Sequence, residues 1–159
     1  MHDIVHELTI AAPPEQVFAA ITTAAGLAGW WSNDVSVSAP GPLAEGAEIT
    51  LGLAPDRSSP DRAAHDRTVQ LRVDSLDPLD PFDPPLLAHL TCLAGPEEWA
   101  GTELAFRVEG DGGEGSVLRL WHGGWEYEDG TLPRCSFQWA MDLDRLRQAV
   151  ESGDSPLSA

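Results

Sequence analysis

The fold of this chain is decided by its last long segment, residues 132–151, LPRCSFQWAMDLDRLRQAVE. Apolar residues recur there every three or four positions, which places them on one face of a helix. That face consists of Cys135, Trp139, Leu143, Leu146 and Val150, with Phe137 and Met141 at its margins. The opposite face carries Asp142, Asp144, Arg145 and Gln148, which we expect to face water. A helix with one apolar face must bury it against another layer of structure.

That second layer is predicted from the segments before the helix, in which apolar and polar residues alternate as they do in half-buried strands. The first strand covers residues 3–11, and Pro13-Pro14 opens a helix after it. We expect Gly26 and Gly29 to break that helix, leaving a short helical turn at residues 27–31. Further strands are predicted at residues 35–38, 47–53, 68–76, 87–93, 102–109 and 116–122.

Strands grouped together, with helices at the two ends of the chain, predict an α+β fold. We expect a curved antiparallel sheet of six to seven strands, wrapped around the long C-terminal helix. Residues 1–152 form a single domain in this interpretation, and residues 153–159 form a flexible tail.

The connecting segments are rich in turn residues. Residues 54–67, APDRSSPDRAAHDR, are expected to form an exposed loop. Residues 77–85, DPLDPFDPP, predict a stiff connector, because proline holds itself and the residue before it extended. Their spacing lacks the glycine turn and distal glutamate of a calcium loop. The glycines of residues 110–115 predict a hairpin turn, and no helix follows them as in a nucleotide-binding loop.

The charge of the chain excludes several classes of partner. It has 26 acidic and 9 basic residues, all of the latter arginine, for a formal net charge of -17. Phosphates and anionic membrane surfaces are bound by Lys and Arg, so we expect neither nucleic acid nor a membrane as partner. The N-terminus lacks the basic and apolar regions of a signal peptide, and a cytoplasmic protein is expected. The absence of lysine excludes Schiff-base chemistry.

His122 is the most informative candidate for chemistry. It shares the inward parity of Leu118 and Leu120, so it points into the core or to the mouth of a cavity. It would either contact the polar end of a ligand or act as a general base, or it would hold a backbone carbonyl at a strand end. No acidic residue shares its face, which favours the structural interpretation. His6 has the same inward parity and the same two interpretations.

A metal site would need at least three ligands, and Cys92 is the one further candidate beside His6 and His122. We therefore predict no metal and no cofactor. Cys92 and Cys135 lie among apolar residues and are expected to behave as small buried hydrophobic side chains.

The chain has six tryptophans, which is unusual for its length. They either seal the core or line a pocket for a flat or aromatic ligand. Trp139 lies on the core stripe of the last helix, and both interpretations apply to it. Trp121 has outward parity, which favours a place on the outer face of the sheet or in an interface.

Several stretches together carry a family resemblance. They are residues 8–22 (LTIAAPPEQVFAAIT), the pair Trp30-Trp31, residues 90–108, and residues 116–125 (SVLRLWHGGW) before the final helix. In this order, and over nearly the whole chain, they resemble the SRPBCC or START-like superfamily, and most closely its branch related to the activator of heat-shock protein 90 ATPase. The resemblance implies the helix-grip fold, with a deep cavity between the sheet and the long helix for apolar or amphipathic molecules. The branch name alone does not transfer the activity.

The first functional hypothesis is that the protein binds an apolar or aromatic small molecule in that cavity. Acidic residues collect in the predicted loops and on the outer strand parity, which leaves an uncharged interior. The predicted lining is Trp30, Ile49, Leu51, Leu71, Phe106, Leu120, Trp139 and Leu143, with His122 as the polar contact.

Two other hypotheses belong to different classes. A cochaperone-like interaction module would expose an apolar patch around Trp121 and Trp125 and bind a chaperone or a second copy of the chain. A cyclase or dehydratase would need a polar constellation deep in the cavity. No nucleophile motif such as Gly-x-Ser-x-Gly occurs, no catalytic residue is assigned, and a binding protein is favoured over an enzyme.

Overall fold

A computed structural model describes residues 2–31, 35–38, 43–52, 68–77, 86–95, 99–125 and 131–152. Within these ranges the chain forms three helices and seven strands, so the predicted α+β helix-grip fold is confirmed. The expected loop at 54–67, the connector after residue 77 and the tail at 153–159 lie outside the described residues. The elements are β1 His2–Ile10, α1 Pro14–Thr22, α2 Ala24–Trp30, β2 Val35–Val37, β3 Glu48–Gly52, β4 Thr68–Asp77, β5 Leu86–Ala94, β6 Glu103–Gly110, β7 Ser116–Trp125 and α3 Thr131–Glu151.

The strands form one antiparallel sheet in the order β1-β7-β6-β5-β4-β3-β2. The helix pair α1–α2 carries the chain from β1, at one edge, to β2, at the other. Five successive antiparallel pairings then return it to β7, which lies beside β1. The register shifts once in the pairing of β1 with β7 and twice in the pairing of β4 with β5, and such bulges bend strands and increase their twist. The sheet thereby curves around the helices.

The concave face of the sheet and one face of α3 form the core. The apolar stripe predicted on the last helix is buried as expected, and its centre, Trp139, is 2 % exposed. α3 packs against β1, α2 and α1. The margins of the stripe also lie where the sequence placed them, since Phe137 and Met141 are 69 % and 47 % exposed.

Asp142 does not face water as the sequence suggested, because it is 5 % exposed. It lies three residues after Trp139 and four before Leu146, so it belongs to the edge of the buried stripe. Its carboxylate accepts hydrogen bonds from Gln138 Nε2 (3.0 Å) and an Arg145 guanidinium nitrogen (2.6 Å). Burial raises the pKa of Asp142 to about 6, although both of these bonds act in the opposite direction.

The break between α1 and α2 occurs at Thr23, not at Gly26 as the sequence suggested. Thr23 has extended backbone angles, and its hydroxyl oxygen accepts the Gly26 amide at 2.9 Å, which caps α2. Gly26 lies inside α2 because the two helices meet there: an added Cβ would lie 2.6 Å from the Ala20 Cα. The Trp30 indole N–H donates to the Ala20 carbonyl at 2.8 Å and fixes the same contact.

Trp121 covers the outer face of the sheet. Its indole lies over Gly123, where an added Cβ would meet a ring carbon at 2.1 Å, and Trp121 is therefore half-buried. The predicted apolar patch around Trp121 and Trp125 stays a prediction, because Trp121 is half-buried and the side chain of Trp125 lies outside the described residues. Within the described ranges, the exposed large apolar side chains are Val5, Leu87, Leu93, Phe137 and Met141.

We expect Gly26→Ala to lower the free energy of unfolding by about 1–3 kcal/mol, because the new methyl group would push α1 and α2 apart. The matched control is Gly29→Ala in the same helix, where nothing lies within 4 Å of an added Cβ. There the better helix propensity of alanine should raise stability by roughly 0.5–1 kcal/mol. Urea unfolding of both variants measures the difference, and equal effects at the two positions would contradict the close approach.

Candidate functional site

A tight turn at residues 99–102 brings a hydroxyl group into the core. The Thr102 amide donates to the Trp99 carbonyl at 3.0 Å, and Gly101 between them has a φ of 85°. A positive φ at this position is typical of a type II turn and favours glycine. The turn holds Thr102 Oγ1 2.6 Å from the Trp99 carbonyl and 2.8 Å from His122 Nε2.

His122 is fully buried and bonded through both ring nitrogens. The Thr102 hydroxyl donates its one proton to the Trp99 carbonyl. Toward His122 the Thr102 oxygen can therefore only accept, and the proton in that hydrogen bond belongs to His122 Nε2. His122 Nδ1 accepts the Trp139 indole N–H at 3.0 Å. This pattern requires the neutral imidazole with its proton on Nε2, since a second proton on Nδ1 would face the indole N–H. Burial lowers the pKa of His122 to about 3.

The geometry agrees with the structural interpretation of His122, with side chains as partners in place of a backbone carbonyl. The imidazole joins β7 to α3 through Trp139 and to the start of β6 through Thr102. The Trp99 ring covers it, with ring centroids 4.5 Å apart. A general base needs a free lone pair near its substrate. The Trp139 indole already occupies the lone pair on Nδ1, so this atom is not free to act as a general base. The two hydrogen bonds of His122 instead position α3 on the sheet.

The other candidate side chains are bonded elsewhere. His6 Nε2 lies 3.0 Å from the Ser136 carbonyl and 3.2 Å from its hydroxyl, a contact between β1 and α3. The Cys92 thiol donates to the Ala94 carbonyl, and burial raises its pKa to about 11. Cys92 and Cys135 are both buried, as expected of small hydrophobic side chains. Across the described ranges, no three His, Cys, Asp or Glu side chains are grouped so that they could hold a metal ion.

Aromatic rings fill the space between the sheet and α3. The indoles of Trp30 and Trp31 are stacked, with centroids 5.2 Å apart and an interplanar angle of 6°. Trp31 lies 5.1 Å from Trp139, and Phe106 presents its edge to both rings. The ring centroid of Trp99 lies 6.1 Å from that of Trp139. The space in which the sequence suggested a ligand is therefore occupied by the chain's own rings.

An apolar cavity of about 10 Å³ lies beside this cluster, between the helix pair and the sheet. That volume holds about one water molecule. Its described lining comes from α1, α2, the turn before β3, and strands β3 to β6, and includes no residue of α3. The lining residues are Ile21, Thr22, Leu27, Trp31, Leu43, Ile49, Val73, Leu76, Ala88, Leu90 and Phe106.

Two of the predicted ligand residues, Ile49 and Phe106, line this cavity. Trp30 stacks behind Trp31, outside the lining. The others are buried in the surrounding core without reaching the cavity: Leu51, Leu71, Leu120, His122, Trp139 and Leu143.

Apart from Trp30, sequence reasoning assigned no ligand residue to the helix pair, and it assigned none to β5. Leu27 and Ile21 carry the helical apolar stripe, and Ala88 and Leu90 have inward strand parity, so each was recognisable as a core residue. Which core residues border an unfilled space depends on packing in three dimensions, and no local pattern encodes it.

The chain matches one family model, Activator of Hsp90 ATPase homolog 1-like protein, over residues 11–151. The chain belongs to this family. The resemblance to the activator branch of the SRPBCC superfamily is thereby confirmed. None of the curated proteins compared with the chain matches it in sequence.

Solved structures of similar fold cover nearly all of this family member. The solution structure of the Aha1 dimer from Colwellia psychrerythraea is 28 % identical, with a TM-score of 0.69 over 95 % of this chain and 97 % of that one. CalU16 from Micromonospora echinospora is 17 % identical, with a TM-score of 0.67 over 98 % and 78 %. SSP2350 from Staphylococcus saprophyticus is 19 % identical, with a TM-score of 0.66 over 99 % and 98 %. The last two support the fold alone.

Among the helices of the described ranges, none is long and apolar enough to span a bilayer.

We expect the stabilisation that His122 contributes to disappear as the pH falls. Its pKa of about 3 in the folded chain lies below the ordinary value of about 6.5 that applies after unfolding. Between these values the unfolded chain binds a proton that the folded chain does not, so acid favours unfolding. The loss is about 1.4 kcal/mol for each pH unit below about 6.5.

Urea unfolding of the wild-type chain and of His122→Gln, measured from pH 7.5 to pH 5, tests this expectation. The free-energy difference between them should shrink by about 2 kcal/mol over that range. Other titrating groups, including Asp142, are present in both proteins and cancel. A difference that stays constant with pH would show that His122 is not held neutral by its burial.

Proposed function

We propose that this protein binds an uncharged apolar small molecule in the cavity between α1–α2 and the concave face of the sheet. The observation that carries the proposal is an unfilled apolar space between the helix pair and the sheet. Among its described lining residues none is charged, and a charged ligand would lose its hydration without a partner.

The described lining of the cavity offers a ligand few polar groups. Thr22 is the one described lining residue with a polar side chain, apart from the indole of Trp31, and its hydroxyl donates to the Phe18 carbonyl at 2.8 Å. Its oxygen keeps two lone pairs that can accept hydrogen bonds from a ligand. A cyclase or dehydratase would need more polar groups than the described lining offers, so we propose binding and not catalysis.

Binding requires side chains to move. A cavity of about 10 Å³ is far below the roughly 300–1,000 Å³ of typical ligand sites. The enlarged site would include the rings behind the present wall, first of all Trp30 and Trp139. The wider set predicted from the sequence, with Leu51, Leu71, Leu120, His122 and Leu143, remains a prediction for such an enlarged site.

The test is titration with N-phenyl-1-naphthylamine, an uncharged probe that fluoresces in apolar surroundings. Ala88→Leu would fill the cavity from the middle of β5 and should weaken binding at least about tenfold, because added methyl groups occupy the ligand's space. Ala105→Leu is the matched control, since residue 105 lies on the outer face of the neighbouring strand β6. It should leave the affinity unchanged.

Absence of probe binding, or equal weakening by Ala88→Leu and Ala105→Leu, would contradict the proposed site. Native mass spectrometry of the freshly purified protein provides an independent measurement. A retained molecule that is lost in Ala88→Leu would identify the natural ligand by its mass.

We infer a second, independent function in self-association through the outer face of α3. Phe137 is 69 % exposed and Met141, one turn later, is 47 % exposed. Adjacent exposed apolar side chains on a helix offer a surface that a partner can bury. The Colwellia psychrerythraea Aha1, 28 % identical to this chain, has been solved as a dimer, which supports the same assembly here. An ATPase chaperone, as the family name implies, is the alternative partner for this face.

Sedimentation equilibrium of the wild-type chain should show a monomer–dimer equilibrium that Phe137→Asp weakens by at least about tenfold, since a charge replaces a buried contact. Leu93→Asp is the control, because Leu93 is 38 % exposed on β5 and away from α3. A wild-type chain that stays monomeric at all concentrations would exclude the homodimer and leave the chaperone as the partner to test.

A further inference from the structure

Trp31 forms the wall between the cavity and the aromatic cluster. It lines the cavity and is 5 % exposed. On its other sides its ring centroid lies 5.2 Å from that of Trp30, 5.1 Å from that of Trp139 and 6.5 Å from that of Phe106. Removal of this one ring would join the cavity to a slot bounded by three aromatic side chains.

Trp31 is also held less firmly than its neighbours. The indole N–H groups of Trp30 and Trp139 donate to the Ala20 carbonyl and to His122 Nδ1. No such hydrogen bond is found for the Trp31 indole N–H among the described residues, and its nitrogen is not one of their buried atoms without a partner, so it borders solvent. Its backbone lies at the last turn of α2, where the Trp31 amide donates to the Leu27 carbonyl and the helix ends.

Phe106, the other aromatic lining residue, is fixed by its surroundings. It lies in the middle of β6 and is paired with Ala88 on one side and Leu120 on the other. A rotation of Phe106 is confined by both neighbouring strands, whereas Trp31 is attached to the end of a short helix. Of the two aromatic lining residues, Trp31 is therefore the one that can leave its position with less change in the backbone.

We propose that the Trp31 indole occupies the position of the ligand's ring, and that a flat, uncharged aromatic molecule binds by displacing it. This inference rests on the proposed binding function and names the class of ligand. The displaced position has the face of Trp30 on one side, parallel to within 6°, and the rings of Trp139 and Phe106 at its borders. A planar ring regains the stacking that Trp31 gives up, whereas a saturated ring does not.

The displacement has a consequence for affinity. A protein that fills its own site binds with an affinity reduced by the fraction of molecules in which the site is open. Trp31→Ala removes the competing ring and should bind a flat ligand at least about tenfold more tightly than the wild-type chain. Tighter binding to Trp31→Ala would also result if the substitution simply created a new cavity. The position of the Trp31 ring in the wild-type complex must therefore be measured as well.

The experiment uses 2-naphthol and 2-decalol, which are uncharged at neutral pH and share their carbon count and hydroxyl group. The wild-type chain is labelled with 5-fluorotryptophan, and Trp31→Phe assigns the Trp31 fluorine resonance. At saturating 2-naphthol, the Trp31 resonance should acquire the H2O/D2O shift of a solvent-exposed ring, while those of Trp30 and Trp139 should not. The affinity for 2-naphthol should exceed that for 2-decalol by at least about tenfold.

The outcomes separate this inference from the binding function. If N-phenyl-1-naphthylamine binds and Ala88→Leu blocks it, but Trp31 stays buried at saturating 2-naphthol, the binding function stands and the displacement is overturned. The displacement is also overturned if 2-decalol binds as tightly as 2-naphthol, or if 2-naphthol binds Trp31→Ala but not the wild-type chain. If neither aromatic compound binds the wild-type chain or Trp31→Ala, both proposals are overturned.

Discussion

The hydrogen bond from the Trp139 indole to His122 Nδ1 is the constraint on which the interior depends. A buried imidazole is tolerated only when its polar atoms are satisfied, and here Trp139 satisfies one nitrogen and Thr102 the other. The bond requires a neutral ring, fixes the tautomer and sets where the middle of α3 meets β7. The turn at residues 99–102 is what places the Thr102 hydroxyl within hydrogen-bonding distance of the His122 ring.

The location of the cavity follows from that constraint. Once Trp139 is tied to His122, its indole fills the space between α3 and the sheet together with Trp99 and Phe106. Space that a helix-grip fold would leave under its long helix is closed by aromatic packing. The unfilled volume remains farther along the sheet, beneath α1 and α2, where aliphatic side chains of β3 to β5 meet the helix pair. Trp31 stands at the boundary between the two regions.

The fold was predictable because its determinants are local and periodic. Alternation in the strands and the stripe of α3 set which faces are buried, and strand parity alone placed His122 inside. Its partners were not predictable, since Thr102 and Trp139 are 20 and 17 positions away and their contact depends on the curvature of the sheet. Gly26 and Asp142 were misjudged for a related reason. Gly26 lies inside α2 because α1 and α2 approach each other closely there, and Asp142 is buried because the buried face of α3 is wider than its apolar stripe. Neither the close approach nor the width of the buried face can be read from the type of residue at these positions.

The pairing of β1 with β7 has a consequence for biosynthesis. The strand that is made first finds its hydrogen-bonded neighbour in the strand that is made last, and the Ser116 hydroxyl that bonds the Ala12 carbonyl is 104 positions away along the chain. Contacts between such distant segments form late and slow the folding of a domain. On the ribosome β1 must therefore wait, with its partner not yet translated, until β7 has emerged. Asp3 and Glu7 are exposed on β1, and charged side chains on a strand without a partner disfavour its pairing with other chains.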